Sequence, residues 1–205
     1  MKIYVYIHIC CINNWIEIYQ KLLSDIKESG LYDKIEKIRC VVLTPSGVPD
    51  ELFRDKKIEL IGVYANQSLF EQATLHPLHD HSLEDDFYVL YLHTKGVRHN
   101  NTNPCVNDWV KALSYFNIYQ HETCIKGLEE NDAVGVNLSD SPCKHYSGNF
   151  WWSKSSYLRT LQKCDRSCYN SPEFWVTSHP GKFLNLWTSG VNHYTERCPE
   201  SLYIL

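Results

Sequence analysis

One ten-residue segment, residues 87–96, constrains the fold of this chain most strongly. It reads FYVLYLHTKG, in which six residues suited to a buried strand lead directly into a polar, cationic turn that ends in glycine. In an open α/β sheet, ligands bind beyond the carboxyl ends of the strands, and this turn would lie there. The segment therefore predicts a buried strand that ends at a binding site.

Strand-like apolar runs alternate with amphipathic segments as far as residue 138. We expect strands at residues 3–9, 38–43, 58–63, 87–92 and 133–138, and helices at residues 15–26, at 69–78 and from Asp108 onward. Asn14 and Glu17, at the start of the first helix, form a pattern close to a capping box. Apolar strands separated by helices favour a mostly parallel sheet that is covered on both faces.

The remainder of the chain consists of short aromatic segments rich in Asn, Ser, Gly and His. With 205 residues and no Gly/Ser/Pro-rich linker, the chain is predicted to form a single domain over residues 1–205. The predicted fold class is α/β: a Rossmann-like α/β/α domain with a mostly parallel central sheet and an irregular, aromatic-rich second half.

The composition excludes several classes of protein. A formal net charge of −4 without a Lys/Arg block argues against a nucleic-acid-binding protein. The nine scattered cysteines, among them Cys164 and Cys168, predict ordinary reduced thiols in a cytoplasmic protein rather than a disulfide framework. The apolar segment at residues 2–12 is short and lacks a cleavage pattern, so we expect neither a signal peptide nor a transmembrane segment.

The turn after residues 87–92 carries side chains suited to a phosphate group. Lys95 and Arg98 could neutralise a diphosphate, Thr94 could donate a hydroxyl, and Gly96 would let the backbone approach closely. Neither GxGxxG nor GxxxxGK[ST] occurs, so the motifs of dinucleotide-binding and P-loop proteins are absent. The alternative is an ordinary polar turn with a solvated lysine.

The segment HYSGNFWW, at residues 145–152, places flat apolar rings beside hydrogen-bonding groups. Trp151 and Trp152 next to His145 and Asn149 would suit a sugar ring, which needs both kinds of contact. Core packing of the same aromatic residues is the alternative.

Glu173 is flanked by bulky residues in the segment PEFW. Such a carboxylate could act as a general base. It could equally be an acid in the first turn of a helix, where it interacts favourably with the helix dipole.

A histidine-rich segment suggests a different class of protein. His76, His79 and His81 could hold a transition metal, which would indicate a metal-dependent hydrolase. Their spacing matches no known metal motif, and the other interpretation is a surface loop. A non-catalytic carbohydrate-binding protein, or an inactive relative of a transferase, is a third possibility.

Five segments together resemble a family of small glycosyltransferase-like proteins. They are YLHTKG (91–96), DW (108–109), DAVGVN (132–137), HYSGNFWW (145–152) and EFW (173–175). The family occurs in bacterial polysaccharide loci and in giant viruses, and includes the N-terminal domain of a chlorella-virus glycosyltransferase with the GT-A fold. The HTK segment is shared more loosely with rhamnan-synthesis proteins.

The resemblance implies a nucleotide-sugar-dependent glycosyltransferase with a GT-A-like fold, a UDP-sugar donor and a glycan acceptor. Residues from about 1 to 100 would bind the donor, and residues from about 101 to 205 would bind the acceptor and supply the catalytic base. The implied donor site contains His8, Thr44, His93, Thr94 and Lys95, and the implied acceptor site contains His145, Asn149, Trp151 and Trp152. Glu173 would be the base of an inverting reaction, and His193 would assist the leaving group or bind a metal. Because no Asp-x-Asp follows residues 87–92, Lys95 could replace part of the charge of Mn²⁺ or Mg²⁺, and dependence on such an ion is left open.

Overall fold

Four parallel strands form one part of the central sheet. The computed structural model of the chain describes residues 1–165 and 169–204. The strands are β1 (Lys2–Cys10), β2 (Lys37–Leu43), β3 (Ile58–Tyr64) and β4 (Phe87–His93). They stand in the order β3-β2-β1-β4, and every neighbouring pair among them is parallel. The mostly parallel α/β sheet predicted from the sequence is confirmed.

The second half of the chain completes this sheet with shorter strands. These are β5 (Ala133–Gly135), β8 (Trp151–Lys154) and β9 (Phe183–Asn185), while β6 (Leu138–Ser139) and β7 (His145–Tyr146) form a separate antiparallel ribbon. The full order is β3-β2-β1-β4-β8-β5-β9. Strand β8 is antiparallel to both of its neighbours, β4 and β5. The predicted strand at residues 133–138 is therefore two strands, because the chain leaves the sheet after Gly135 and pairs again at Leu138.

Helices connect the strands. They are α1 (Trp15–Glu28), α2 (Leu31–Lys34), α3 (Gln72–Glu84), α4 (Pro104–Ser114), which continues as a π-helical turn (Tyr115–Tyr119), α5 (His121–Gly127), α6 (Ser155–Leu158) and α7 (Ser171–Phe174). Short 3₁₀ turns lie at Asp50–Phe53, Gln67–Leu69, Val97–His99, Trp175–Thr177 and Glu200–Leu202. Within the described ranges, none of these helices has the length and apolarity needed to cross a membrane.

Strand β1 shows why the sheet is covered on both faces. Val5, Ile7 and Ile9 belong to the apolar cluster that contains the inner face of α1. Tyr4 and Tyr6, which alternate with them, belong to the cluster that contains Leu75 and Leu78 of α3. Successive side chains of a strand point to opposite faces, so an uninterrupted apolar strand needs a layer of cover on each side.

Helix α1 begins at Trp15, directly after Asn14, as predicted, but the capping hydrogen bond is absent, because the Asn14 side-chain amide donates to Glu17 Oε2 at 3.4 Å. The predicted helix start at Asp108 is wrong. Helix α4 begins at Pro104, where Asn103 Oδ1 accepts the backbone N–H groups of Cys105 and Val106. Asp108 lies within α4, where its carboxylate accepts from Arg197.

Candidate active site

A cleft of about 450 Å³ opens at the carboxyl ends of β1, β2 and β4. Strands β2 and β3 extend the sheet on one side of β1, whereas β4 extends it on the other side. His8 of β1 stands in register with His93 of β4, and both line the cleft. The cleft therefore lies where the strand order reverses, which is the usual place for a ligand in an open α/β sheet.

The turn after β4 forms one wall of the cleft. Thr94 Oγ1 accepts the backbone N–H of Cys10 at 3.1 Å, which ties the ends of β4 and β1 together. Gly96 has a φ of +86°, a left-handed conformation that glycine adopts without strain. This turn holds Lys95 against the cleft.

Lys95 supplies a cation to this wall. Its Nζ lies 4.0 Å from the ring centroid of Trp109, and no carboxylate of the described residues lies within ion-pair distance of it. Burial lowers the pKa of Lys95, while the nearby charges of Glu173 and Glu71 act in the opposite direction. A partly buried ammonium without a direct counterion is suited to bind an anionic ligand.

Glu173, in the short helix α7, also lines the cleft. Its Oε1 accepts the backbone N–H of Gly148 at 3.2 Å, so the carboxylate is linked to the loop before β8. Gly148 has a φ of +96°, and a Cβ there would lie 2.7 Å from Leu113 Cδ1, so only glycine fits. Lys95 and Glu173 thus share one cleft.

A second carboxylate, Glu71, lies at the cleft and was missed by the sequence analysis. Its Oε2 accepts from Tyr91 Oη at 2.7 Å and from Asn149 Nδ2 at 2.6 Å, and its Oε1 lies 3.5 Å from His93 Nδ1. Burial alone would raise the pKa of Glu71, but His93, His8, the Tyr91 hydrogen bond and Lys95 outweigh it and lower the pKa. Glu71 is therefore ionised at neutral pH.

Two of the predicted donor residues line the cleft as part of a hydrogen-bonded network. His8 Nδ1 lies 2.8 Å from Thr74 Oγ1, and burial lowers the pKa of His8 to about 4, so its ring is neutral at pH 7. His93 Nε2 donates to the carbonyl of Gly148 at 3.0 Å. Both imidazoles thus shape the floor of the cleft.

Thr44, another predicted donor residue, does not reach the cleft. Its hydroxyl donates to the carbonyl of Gly47 at 3.0 Å and accepts the backbone N–H of Ser46 at 3.2 Å. The side chain closes its own turn, and Leu43 is the residue of β2 that lines the cleft.

Trp151 and Trp152 are wrong as acceptor-binding residues. Both are fully buried, because β8 lies between β4 and β5 in the interior of the sheet. As adjacent strand residues they point to opposite faces, and they belong to different apolar clusters. Their indole N–H groups donate within the protein at 2.8 Å each, to Asn149 Oδ1 and to the carbonyl of Asn117.

The other predicted acceptor residues have structural partners. His145 is buried in β7, where its Nδ1 donates to the carbonyl of Cys143 at 2.8 Å, and it does not line the cleft. Asn149 does line the cleft, but its amide bridges Glu71 and Trp151. Asn149 therefore positions other side chains.

His193 lies behind the cleft wall. Its ring stacks on Trp109 with centroids 4.7 Å apart, and its Nε2 lies 2.9 Å from Ser189 Oγ. Burial, together with the charge of Lys95, lowers the pKa of His193. Residues 1–165 and 169–204 contain no group of three or more His, Cys, Asp or Glu side chains arranged to hold a metal.

The histidine-rich segment is part of helix α3, so its interpretation as a surface loop is wrong. His76 Nε2 donates to the carbonyl of Cys164, His79 Nε2 donates to the carbonyl of Leu161, and His81 Nδ1 lies 3.0 Å from Tyr6 Oη. The three rings have separate partners and do not converge on one point, which argues against the hydrolase site. The prediction that Cys164 and Cys168 are ordinary thiols concerns one residue, Cys168, that lies outside the described residues.

The α/β fold of this chain is similar to that of solved nucleotide-diphospho-sugar transferases. A protein of Desulfovibrio desulfuricans G20 assigned as such a transferase is similar over 92% of this chain and 81% of its own, with a TM-score of 0.50 and 7% identity. HddC from Yersinia pseudotuberculosis is similar over 90% of both chains, with a TM-score of 0.50 and 10% identity. At these identities the likeness concerns the fold alone.

Sequence comparison identifies the family. Residues 50–167, more than half of the chain, match the family described as Domain of unknown function (DUF8361), and the chain belongs to this family. Comparison with curated proteins gives no significant match.

Proposed function

We propose that this protein is a glycosyltransferase that moves a sugar from a nucleoside-diphosphate donor, a UDP-sugar, to a hydroxyl group of a glycan acceptor. One observation carries the proposal: Lys95, which has no ion-pair partner in the described part of the chain, and the hydrogen-bonded carboxylate of Glu173 line the same cleft where the strand order reverses. The fold shared with nucleotide-diphospho-sugar transferases supports it.

In this proposal the turn after β4 binds the donor diphosphate. The ammonium group of Lys95 faces the diphosphate oxygens, and the exposed guanidinium of Arg98 adds a second charge. Gly96, with its φ of +86°, lets the backbone of the same turn approach the diphosphate closely. His8, His93 and Thr94 shape the floor on which the diphosphate and sugar rest.

The proposed reaction is a direct displacement. The acceptor oxygen attacks the anomeric carbon of the donor, the bond from that carbon to the diphosphate oxygen breaks, and Glu173 takes the acceptor's proton. Lys95 stabilises the negative charge that develops on the departing nucleoside diphosphate. Attack from the side opposite the leaving group inverts the anomeric centre.

The described side chains do not fit a divalent-ion site made by protein alone. Mg²⁺ in such enzymes is held by one or two carboxylates together with substrate phosphates. Among the residues that the structure describes, Glu71 and Glu173 are the carboxylates that line this cleft. Any Mn²⁺ or Mg²⁺ would therefore bind together with the donor diphosphate.

Calorimetric titration with UDP, with and without Mn²⁺, tests donor binding. Lys95→Ala should weaken UDP binding roughly 10- to 100-fold, the value of a lost charge-assisted hydrogen bond. Lys56→Ala, which alters an exposed lysine before β3 at the opposite edge of the sheet, is the control. Equal affinities for both variants would remove Lys95 from the donor site.

Transfer of sugar from UDP-sugars tests the base. Glu173→Gln should lower turnover by about 10²- to 10⁴-fold and leave UDP affinity nearly unchanged. Loss of UDP binding together with turnover would mean that Glu173 is a structural acid. Binding of glycan without any nucleotide would favour a carbohydrate-binding protein instead.

A further inference from the structure

Two tyrosines stand at the mouth of the cleft and expose most of their surface to solvent. Tyr169 is 53% exposed and Tyr194 is 57% exposed, although both line the cleft. They come from different parts of the chain: Tyr169 precedes α7, and Tyr194 belongs to the C-terminal segment. We call them the tyrosine pair.

Neighbouring rings hold each member of the tyrosine pair in place. Tyr169 makes a T-shaped contact with Phe70, with centroids 4.8 Å apart, and Tyr194 makes one with Trp109 at 5.4 Å. Among the described residues, no aromatic ring is stacked parallel on either tyrosine. Trp109, in contrast, already carries the imidazole of His193 and the ammonium of Lys95. The tyrosine pair therefore offers exposed aromatic surface to a ligand at the mouth of the cleft.

The tyrosine pair lies near the proposed catalytic base. Burial raises the pKa of Tyr194, and the charges of Glu173 and Tyr169 raise it further, whereas Arg98 lowers it. Arg98 also lies over the Tyr169 ring, 5.1 Å from its centroid. Tyr169, Tyr194 and Glu173 all line the same cleft.

We propose that the tyrosine pair forms the acceptor subsite, where Tyr169 and Tyr194 pack against the C–H face of a pyranose ring and direct one of its hydroxyl groups toward Glu173. This inference rests on the proposed function. A pyranose ring is favoured over the donor's base because the pair lines the same cleft as the carboxylate that takes the acceptor's proton, and the acceptor hydroxyl must supply that proton. The phenolic hydroxyls add donors and acceptors for the remaining sugar hydroxyls. The pair takes the role that the sequence analysis gave to the buried tryptophans.

Saturation-transfer NMR with a panel of methyl glycosides in the presence of UDP tests the inference. The panel contains the α- and β-methyl glycosides of glucose, galactose, mannose and rhamnose. Tyr194→Ala and Tyr169→Ala should weaken binding of the preferred glycoside about two- to tenfold, as expected for one aromatic contact. Tyr194→Phe and Tyr169→Phe keep the ring and should retain most of the binding. Tyr64→Ala, which removes an exposed tyrosine that does not line the cleft, is the matched control.

The inference is supported if both alanine variants lose glycoside binding and Tyr194→Ala keeps UDP affinity within about twofold of wild type. UDP affinity is read from Tyr194→Ala because the Tyr169 ring also contacts Arg98 of the proposed donor site. The inference is overturned if no glycoside binds to wild-type protein that does bind UDP, or if the variants bind glycosides as wild type does. Loss of UDP affinity in Tyr194→Ala overturns it too, because the pair would then hold the donor base. Failure of wild type to bind any nucleoside diphosphate, with glycoside binding still dependent on the pair, would refute the proposed function and leave a carbohydrate site.

Discussion

The buried carboxylate of Glu71 offers a quantitative test of the hydrogen-bond network beneath the cleft. In Glu71→Gln the amide oxygen can still accept from Tyr91 and Asn149, but the bonds become neutral. A bond to a charged group contributes about 1.5–3 kcal/mol and a neutral one about 0.5–1.5 kcal/mol, so two bonds together lose about 2–3 kcal/mol. That loss is a large share of a total stability of about 5–15 kcal/mol.

The pH dependence of this loss identifies the charge as its cause. The folded-state pKa of Glu71 is depressed below its ordinary value of 4.5. A depressed carboxylate stabilises the fold above the unfolded pKa, and this stabilisation disappears as the pH falls through the folded pKa. The glutamine variant has no such dependence. The stability difference between wild type and variant should therefore be largest at pH 7 and shrink below pH 4.5.

Urea denaturation of both proteins between pH 7 and pH 3 measures the difference directly. Glu129→Gln, which changes an exposed glutamate, should show almost no effect at any pH. Combining Glu71→Gln with Tyr91→Phe in a double-mutant cycle isolates the Tyr91 bond. A stability difference that stays constant across this pH range would refute the assignment of an ionised, stabilising Glu71.

Three further predictions follow from single side chains. Trp152→Ala should destabilise the protein by about 3–5 kcal/mol, because it empties a fully buried site, and the urea midpoint should fall accordingly. UDP binding should weaken as the pH rises, because Lys95 loses its charge. Since the pKa of Lys95 lies below 10.5, this loss should begin at a lower pH than it would for an exposed lysine, and calorimetry that gives a constant UDP affinity from pH 7 to 10 would contradict this. Thr44→Val should leave UDP affinity within about twofold of wild type and cost about 1 kcal/mol of stability, since it loses the hydrogen bonds that the hydroxyl makes with Gly47 and Ser46.

The strands could be predicted because their signal is local. Residues 87–92 are apolar without interruption, and this pattern alone identifies a strand covered on both faces. Most strand limits differ from the prediction by one residue at an end: β1 extends to Lys2 and Cys10, and β3 extends to Tyr64. The turn residues at the end of β4 could be found in the same way, since ligand sites follow the carboxyl ends of parallel strands.

The errors in the predicted site have a common cause, which is dependence on distant partners. Glu71 becomes a buried, charged group only through Tyr91 of β4 and Asn149 before β8, and nothing in its own segment indicates these contacts. One signal was present: Glu71 follows the third strand, so it belongs to the same edge of the sheet. For Trp151 and Trp152, strand alternation already implies that two adjacent rings cannot face one pocket.

The reversed direction of β8 determines which loops can influence ligand recognition. In an all-parallel sheet, only segments that follow a strand arrive at the ligand edge. Here Trp151, the first residue of β8, pairs with Tyr91 near the end of β4, so the loop that precedes β8 reaches that edge and brings Gly148 and Asn149 to it. Relatives whose loop before β8 differs in length should therefore differ in substrate choice. Changes just after β8, at α6, should affect the opposite edge of the sheet, where β4 begins.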